Sequence, residues 1–139
     1  GRGFKRVVQR ERILVPLRAE DKDLNALYHA LSLADRIRAR VFVLYFKPSA
    51  FQGGSRWWEE TVEDVIKGAC EEGLSVSYHI AQGSFEQELS TLVREEEIDL
   101  IVFAAEEDDS AMEQIMRRIG SRLKSQVIKV RTKNHFSYL

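Results

Sequence analysis

Short, continuously apolar runs alternate along this chain with stretches whose apolar residues recur every three or four positions. The runs are RILVPL at Arg12–Leu17, VFVLYF at Val41–Phe46, LSVSYHIA at Leu74–Ala81, DLIVFA at Asp99–Ala104 and QVIKVR at Gln126–Arg131. They have strand length and are rich in β-branched and aromatic residues. Within them ILVPL, VFVLYF and LIVFA are apolar at every position, as strands are when helices cover both of their faces. Between them the helical period predicts a helix from about Asp21 to Arg38, with Leu24, Leu27, Leu31, Ala34 and Arg38 on one stripe. A second is predicted from about Ser55 to Glu72, with Trp58, Val62, Val65, Ile66, Ala69 and Cys70 in phase and Gly73 as its stop. Two more open at Ser84 and near Ser110, each with a capping-box pattern, Ser84-x-x-Gln87 and Ser110-x-x-Glu113.

The alternation β-α-β-α-β-α-β-α-β specifies an α/β fold: a Rossmann-like, doubly wound, five-stranded, mostly parallel sheet with helices on both faces and right-handed crossovers. At 139 residues the chain suits one domain with its own core. We divide it into a basic leader at residues 1–11, the domain at 12–131 and a tail at 132–139. The leader carries Arg2, Lys5, Arg6 and Arg10 against Glu11. It reads first as a solvated segment, and otherwise as a nucleic-acid arm or a segment just inside a membrane.

In an open sheet of this kind a ligand sits beyond the carboxyl ends of the strands, where the strand order reverses. A phosphate is usually held there by glycine amides at a helix N-terminus. Here the strand ending at Ala104 runs instead into Glu106, Glu107, Asp108 and Asp109.

The opening RILVPL, the DLIVFA strand and the spacing within AAEEDDSAMEQIMRRIGS resemble the universal stress protein family, over Arg12 to Arg131. The resemblance implies the strand order 3-2-1-4-5. Members that bind ATP carry Gly-x-x-Gly, nine residues, then Gly-Ser or Gly-Thr after strand four, and an Asp shortly after the Val-Pro of strand one. On this sequence the paired glycines fall at Glu107 and Ser110, Ala111 to Ile119 follow, and Gly120-Ser121 closes the motif. Ala104 stands where strand four usually ends in glycine, and Arg18, two residues after Pro16, stands where the nucleoside-side Asp would be. The positions Pro16, Arg18, Ala104, Glu107, Ser110, Gly120 and Ser121 thus form a degenerate nucleotide site, in which only the Gly120-Ser121 end matches.

A side chain in place of glycine removes both the positive-φ freedom and the close approach of backbone N–H to phosphate. Each carboxylate about 4 Å from a phosphate charge adds repulsion of roughly 1 kcal/mol in water, or about 4 kcal/mol at an effective dielectric near 20. Several such terms cancel the roughly 8 kcal/mol of micromolar binding. We therefore expect ATP binding to be lost or weakened and no cofactor to be held. Arg18 is expected to pair with Glu106, Glu107 or Asp108 across the crevice.

The remaining chemistry-bearing residues give little support for catalysis. His29, His79 and His135 have no nucleophile partner by spacing, Ser121 reads as a capping or phosphate-contacting hydroxyl, and Cys70 reads as a small buried hydrophobe. Adjacent acids do not converge on one metal ion without a shaped loop. Trp57 is out of phase with the core stripe and is expected to pack on the loop Lys47–Gly54 or to meet a partner. Arg117, Arg118, Arg122, Lys124, Lys129 and Arg131 form a basic cluster suited to solvent or an acidic partner. QVIKVR is expected at a sheet edge, where Lys129 and Arg131 blunt open-ended pairing. The resemblance implies a homodimer formed by joining that edge.

A formal net charge of −1 gives no reason to expect a nucleic-acid partner, and one cysteine excludes an internal disulfide framework. No run nears the roughly 20 apolar residues of a membrane span. The expectation is a cytoplasmic, non-enzymatic regulatory or interaction domain. Its alternatives are an ATP-binding universal stress protein and a cytoplasmic regulatory domain of a membrane transporter, the one case that would bring a membrane near it.

Overall fold

A computed structural model describes residues 10–21, 23–47 and 55–131. The strands are β1 (Arg12–Arg18), β2 (Arg40–Phe46), β3 (Ser75–Ala81), β4 (Leu100–Ala105) and β5 (Gln126–Arg131). The helices are α1 (Asn25–Ile37), α2 (Ser55–Glu71), α3 (Phe85–Glu95) and α4 (Ser110–Leu123). They form one five-stranded sheet in the order β3-β2-β1-β4-β5 with every neighbouring pair parallel, so the reversal falls between β1 and β4.

The continuous apolar runs fold as their pattern requires. Ile13, Val15, Leu17, Val41, Val43, Tyr45, Val102 and Ala104 turn to one face, where α1 and α2 cover them with Leu27, Ala30, Ala34, Val62 and Ile66. Leu14, Phe42, Leu44, Ile101, Phe103 and Ala105 turn to the other face, against Leu89, Val93, Met112, Met116 and Ile119 of α3 and α4. Each fully buried side chain of this size contributes about 1.5–3 kcal/mol of transfer free energy.

Helix ends depart from the sequence reading in specific ways. α1 begins at Asn25, and Arg38 adopts the left-handed conformation just past its end and is exposed, not part of the apolar stripe. Gly73, at φ 97°, follows the end of α2 as expected. Ser84 caps α3, its hydroxyl accepting from the Gln87 amide. At α4, however, the cap is Asp109, not Ser110, and its carboxylate accepts from the Met112 amide. A charged acceptor is favoured over a hydroxyl at the positive end of a helix dipole. Cys70 is exposed, contrary to the buried position expected of it. Its place at the margin of the helical stripe puts it over the rim of β3, not inside.

Candidate functional site

The crevice owes its opening to Pro16. The Asp99 amide donates to the Arg12 carbonyl, so the main-chain groups of Arg12, Leu14 and Pro16 face β4, by the two-residue repeat of a strand. Pro16 has no N–H to offer on that side. Accordingly β1 is in register with β4 only at Ile13 and Leu14, while it follows β2 from Arg12 to Arg18. Pro16 itself is buried opposite Leu44.

Arg18 ends β1 at this opening and is held from three directions. The Asp21 carboxylate accepts from both the Arg18 amide at 2.8 Å and its Nε at 3.3 Å. Asp109 Oδ2 lies 4.0 Å from the guanidinium and Glu20 Oε2 lies 3.9 Å from it. The Arg18 carbonyl accepts from Trp58 Nε1 at 3.1 Å, which ties α2 to the end of β1. Burial pushes the Asp21 carboxyl up to about 6, because loss of hydration outweighs the opposing hydrogen bonds and positive charge of Arg18.

The four acids divide their roles. Asp109 caps α4 and faces Arg18, so its carboxylate accepts from an amide that a phosphate would otherwise use. Glu107 turns outward and pairs with Arg131 at 3.5 Å, both side chains being well exposed. Asp108 is exposed. An ion pair across the switch point therefore forms, with Asp109 as the acid that meets Arg18. Among the described residues no group of three or more His, Cys, Asp or Glu side chains is placed to hold a metal ion.

The other anticipated positions do not gather here. Ala104 is buried in β4, with its methyl group where glycine would leave space. Ser110 is the exposed first residue of α4. Gly120 lies ten residues further along α4, about 15 Å at 1.5 Å per residue, and Ser121 beside it is exposed. A Cβ on Gly120 would come within 2.8 Å of Val127 Cγ2 and 3.0 Å of the Ser125 carbonyl. The glycine admits β5 against α4.

Trp57 stacks on Trp58 with ring centroids 5.9 Å apart and is 68% exposed; most of the loop expected to cover it lies outside the described residues, as do most of the leader, the tail and His135. Asp21 was missed in the sequence because its carboxylate meets Arg18 only after the chain turns behind β1. An acid three residues after a basic strand end was the available signal.

The sheet order, the opening beside Pro16 and the helix that starts at Ser110 agree with a comparison of sequence against family models, in which the universal stress protein family matches residues 9–123. The chain belongs to the universal stress protein family. UspA of Lactobacillus plantarum shares the fold with a TM-score of 0.64 at 20% identity, over 88% of this chain and 99% of that one. A universal stress protein solved in complex with cAMP gives 0.65 at 15%, over 88% and 98%. The Archaeoglobus fulgidus universal stress protein in complex with dAMP gives 0.60 at 14%, over 88% and 98%. No curated protein sequence matches. Within the universal stress protein fold, then, this chain presents Arg18, Asp21 and Asp109 at the strand reversal. No helix among the described residues is long and apolar enough to cross a membrane.

Proposed function

We propose that this domain is a non-enzymatic regulatory or interaction module of the universal stress protein family in which nucleotide binding is lost or strongly weakened. The observation that carries the reading is Asp109: one carboxylate both caps α4 and faces Arg18 across the crevice. A phosphate entering there must displace a charge-assisted cap and sit beside the Asp109 carboxylate. Both changes are unfavourable, and the second grows as water is excluded. The single exposed thiol suits a reducing compartment, in keeping with a cytoplasmic domain.

A second reading, that an adenine nucleotide still binds, is favoured by the family members solved with cAMP and dAMP. The deciding experiment is to purify the protein without added nucleotide, denature it, and record the adenine absorption of the supernatant, then titrate ATP with Mg²⁺ by calorimetry. The proposal expects no stoichiometric adenine and a Kd weaker than about 1 mM, equivalent to roughly 4 kcal/mol. Stoichiometric AMP or ATP, or micromolar affinity, establishes the second reading in its place.

A further inference from the structure

The basic cluster around α4 is only partly used inside the molecule. Arg117 and Lys129 pair with Glu113, Arg118 with Glu86 and Arg131 with Glu107. Among the described residues Arg122, in the last turn of α4, has no carboxylate partner, and neither has Arg94, in the last turn of α3. Both are exposed.

The two arginines line one groove between α3 and α4, with a volume of about 410 Å³, inside the roughly 300–1,000 Å³ range of small-ligand sites. Unlike most such sites it has polar walls throughout, Gln87, Ser90 and Thr91 among them, and Glu86 is its one acid. Glu86 does not cancel the arginines. Both of its oxygens accept from Arg118, at 3.0 Å and 2.8 Å, so that pair is neutral and the charges of Arg94 and Arg122 are left to the groove.

The hydroxyls of the groove are also left available. A helical Ser or Thr commonly turns its O–H back onto a carbonyl one turn earlier, as Thr61 does onto Trp57 at 3.0 Å. Among the described residues Ser90 and Thr91 make no such bond. Ser90 is only 7% exposed, and its Oγ accepts from Arg122 Nη2 at 3.3 Å. That contact positions the guanidinium, uses one of its five donors, and leaves the Ser90 O–H without an acceptor.

Charge selects the kind of anion. A carboxylate carries one charge and neutralises one guanidinium. A phosphomonoester carries a charge of about −1.5 to −2 at neutral pH and three acceptor oxygens, which matches two guanidiniums and a hydroxyl. We propose that the α3–α4 groove binds a phosphate group between Arg122 and Arg94, with the Ser90 and Thr91 hydroxyls as further donors. The site is separate from the crevice: Arg122 lies about 20 Å along α4 from Asp109, at 1.5 Å per residue. It therefore does not depend on whether the crevice takes a nucleotide.

Amide NMR of the isotope-labelled full chain tests the site, with N-acetyl-phosphoserine amide, inorganic phosphate and N-acetyl-aspartate amide titrated in turn, beside Arg122→Gln. Because Arg122 is exposed, the variant should keep its fold, checked by its melting curve. The expected result is a saturable shift at Ser90, Thr91, Arg94 and Arg122 with a phosphate probe, about tenfold or more weaker in Arg122→Gln and with the aspartate probe. Tighter binding of the phosphoserine probe assigns the groove to an esterified phosphate; equal or tighter binding of inorganic phosphate assigns it to the free anion. No saturable shift, an affinity unchanged by Arg122→Gln, or an equal response to the aspartate probe overturns the proposal. Shifts confined to Arg18, Asp109 and Met112 overturn it too, and with it the reading of the crevice as closed to phosphate.

Discussion

The guanidinium of Arg18 lies 4.0 Å from the carboxylate of Asp109, so the end of β1 and the cap of α4 are joined across the point where the strand order reverses. Neither residue is anchored by that contact alone. Asp21 grips Arg18 from behind, and the Met112 amide holds Asp109 in its capping position. An internal cation and two internal anions thus occupy the end of the fold where ligands of such sheets are usually bound.

Charge reversal at Arg18 should be costly. Arg18→Glu would leave the Asp21 side chain, only 7% exposed, beside a second negative charge. Removing one partner of a buried pair costs about 3 kcal/mol or more, which lowers the melting temperature by the order of 10 °C in a domain of this size. A melting curve that superimposes on that of the wild type would show that the ion network does not support the fold.

Asp21 should make stability depend on pH with an unusual sign for a carboxylate. Its ordinary value of 3.8 is raised to about 6 in the fold, so between those limits the folded chain binds more protons than the unfolded chain. The stabilisation associated with the protonated group is complete below about pH 4 and disappears as pH rises through about 6. Relative to Asp21→Asn, the wild-type protein should lose up to about 3 kcal/mol between pH 4 and 7. Urea titrations of the two proteins across that range measure it, and parallel stability curves would contradict the burial assigned to Asp21.

Gly120→Ala opposes helix propensity to packing. Alanine gains about 1 kcal/mol within a helix, but its methyl group would stand 2.8 Å from Val127 Cγ2 and 3.0 Å from the Ser125 carbonyl. The carbonyl is backbone and cannot swing aside, so overpacking of about 1–3 kcal/mol should prevail. Net destabilisation by chemical denaturation is the expected outcome; a stabilised variant would mean that α4 and β5 have slack at this point.

The two residues at the start of α4 can be separated by alanine. Asp109→Ala should cost about 1 kcal/mol through the lost cap, with a further loss from Arg18. Ser110→Ala, at an exposed site, should stay within about 0.5 kcal/mol. Equal losses from the two substitutions would restore Ser110 as the capping residue.

The order of the nine elements was legible because it depends on local periodicity. Apolar runs such as VFVLYF cannot satisfy both faces except between two helix layers, and the intervening stripes have no other surface on which to bury themselves. Gly73 was legible for a related reason, since it acts on the backbone through its own covalent structure.

What tertiary structure alone decided were the side-chain partners. Four acids in a row are equivalent in sequence, yet only Asp109 meets both a free helix amide and Arg18, while Glu107 turns to Arg131. Gly120 has the spacing of a ligand-binding glycine and the surroundings of a packing glycine. Sequence by itself determined which segments are strands, which are helices and in what succession, because those follow from a periodicity that each segment carries with it. The occupants of the crevice were settled by the distance between chain-remote charges, a quantity that exists only after β1 and β4 lie side by side.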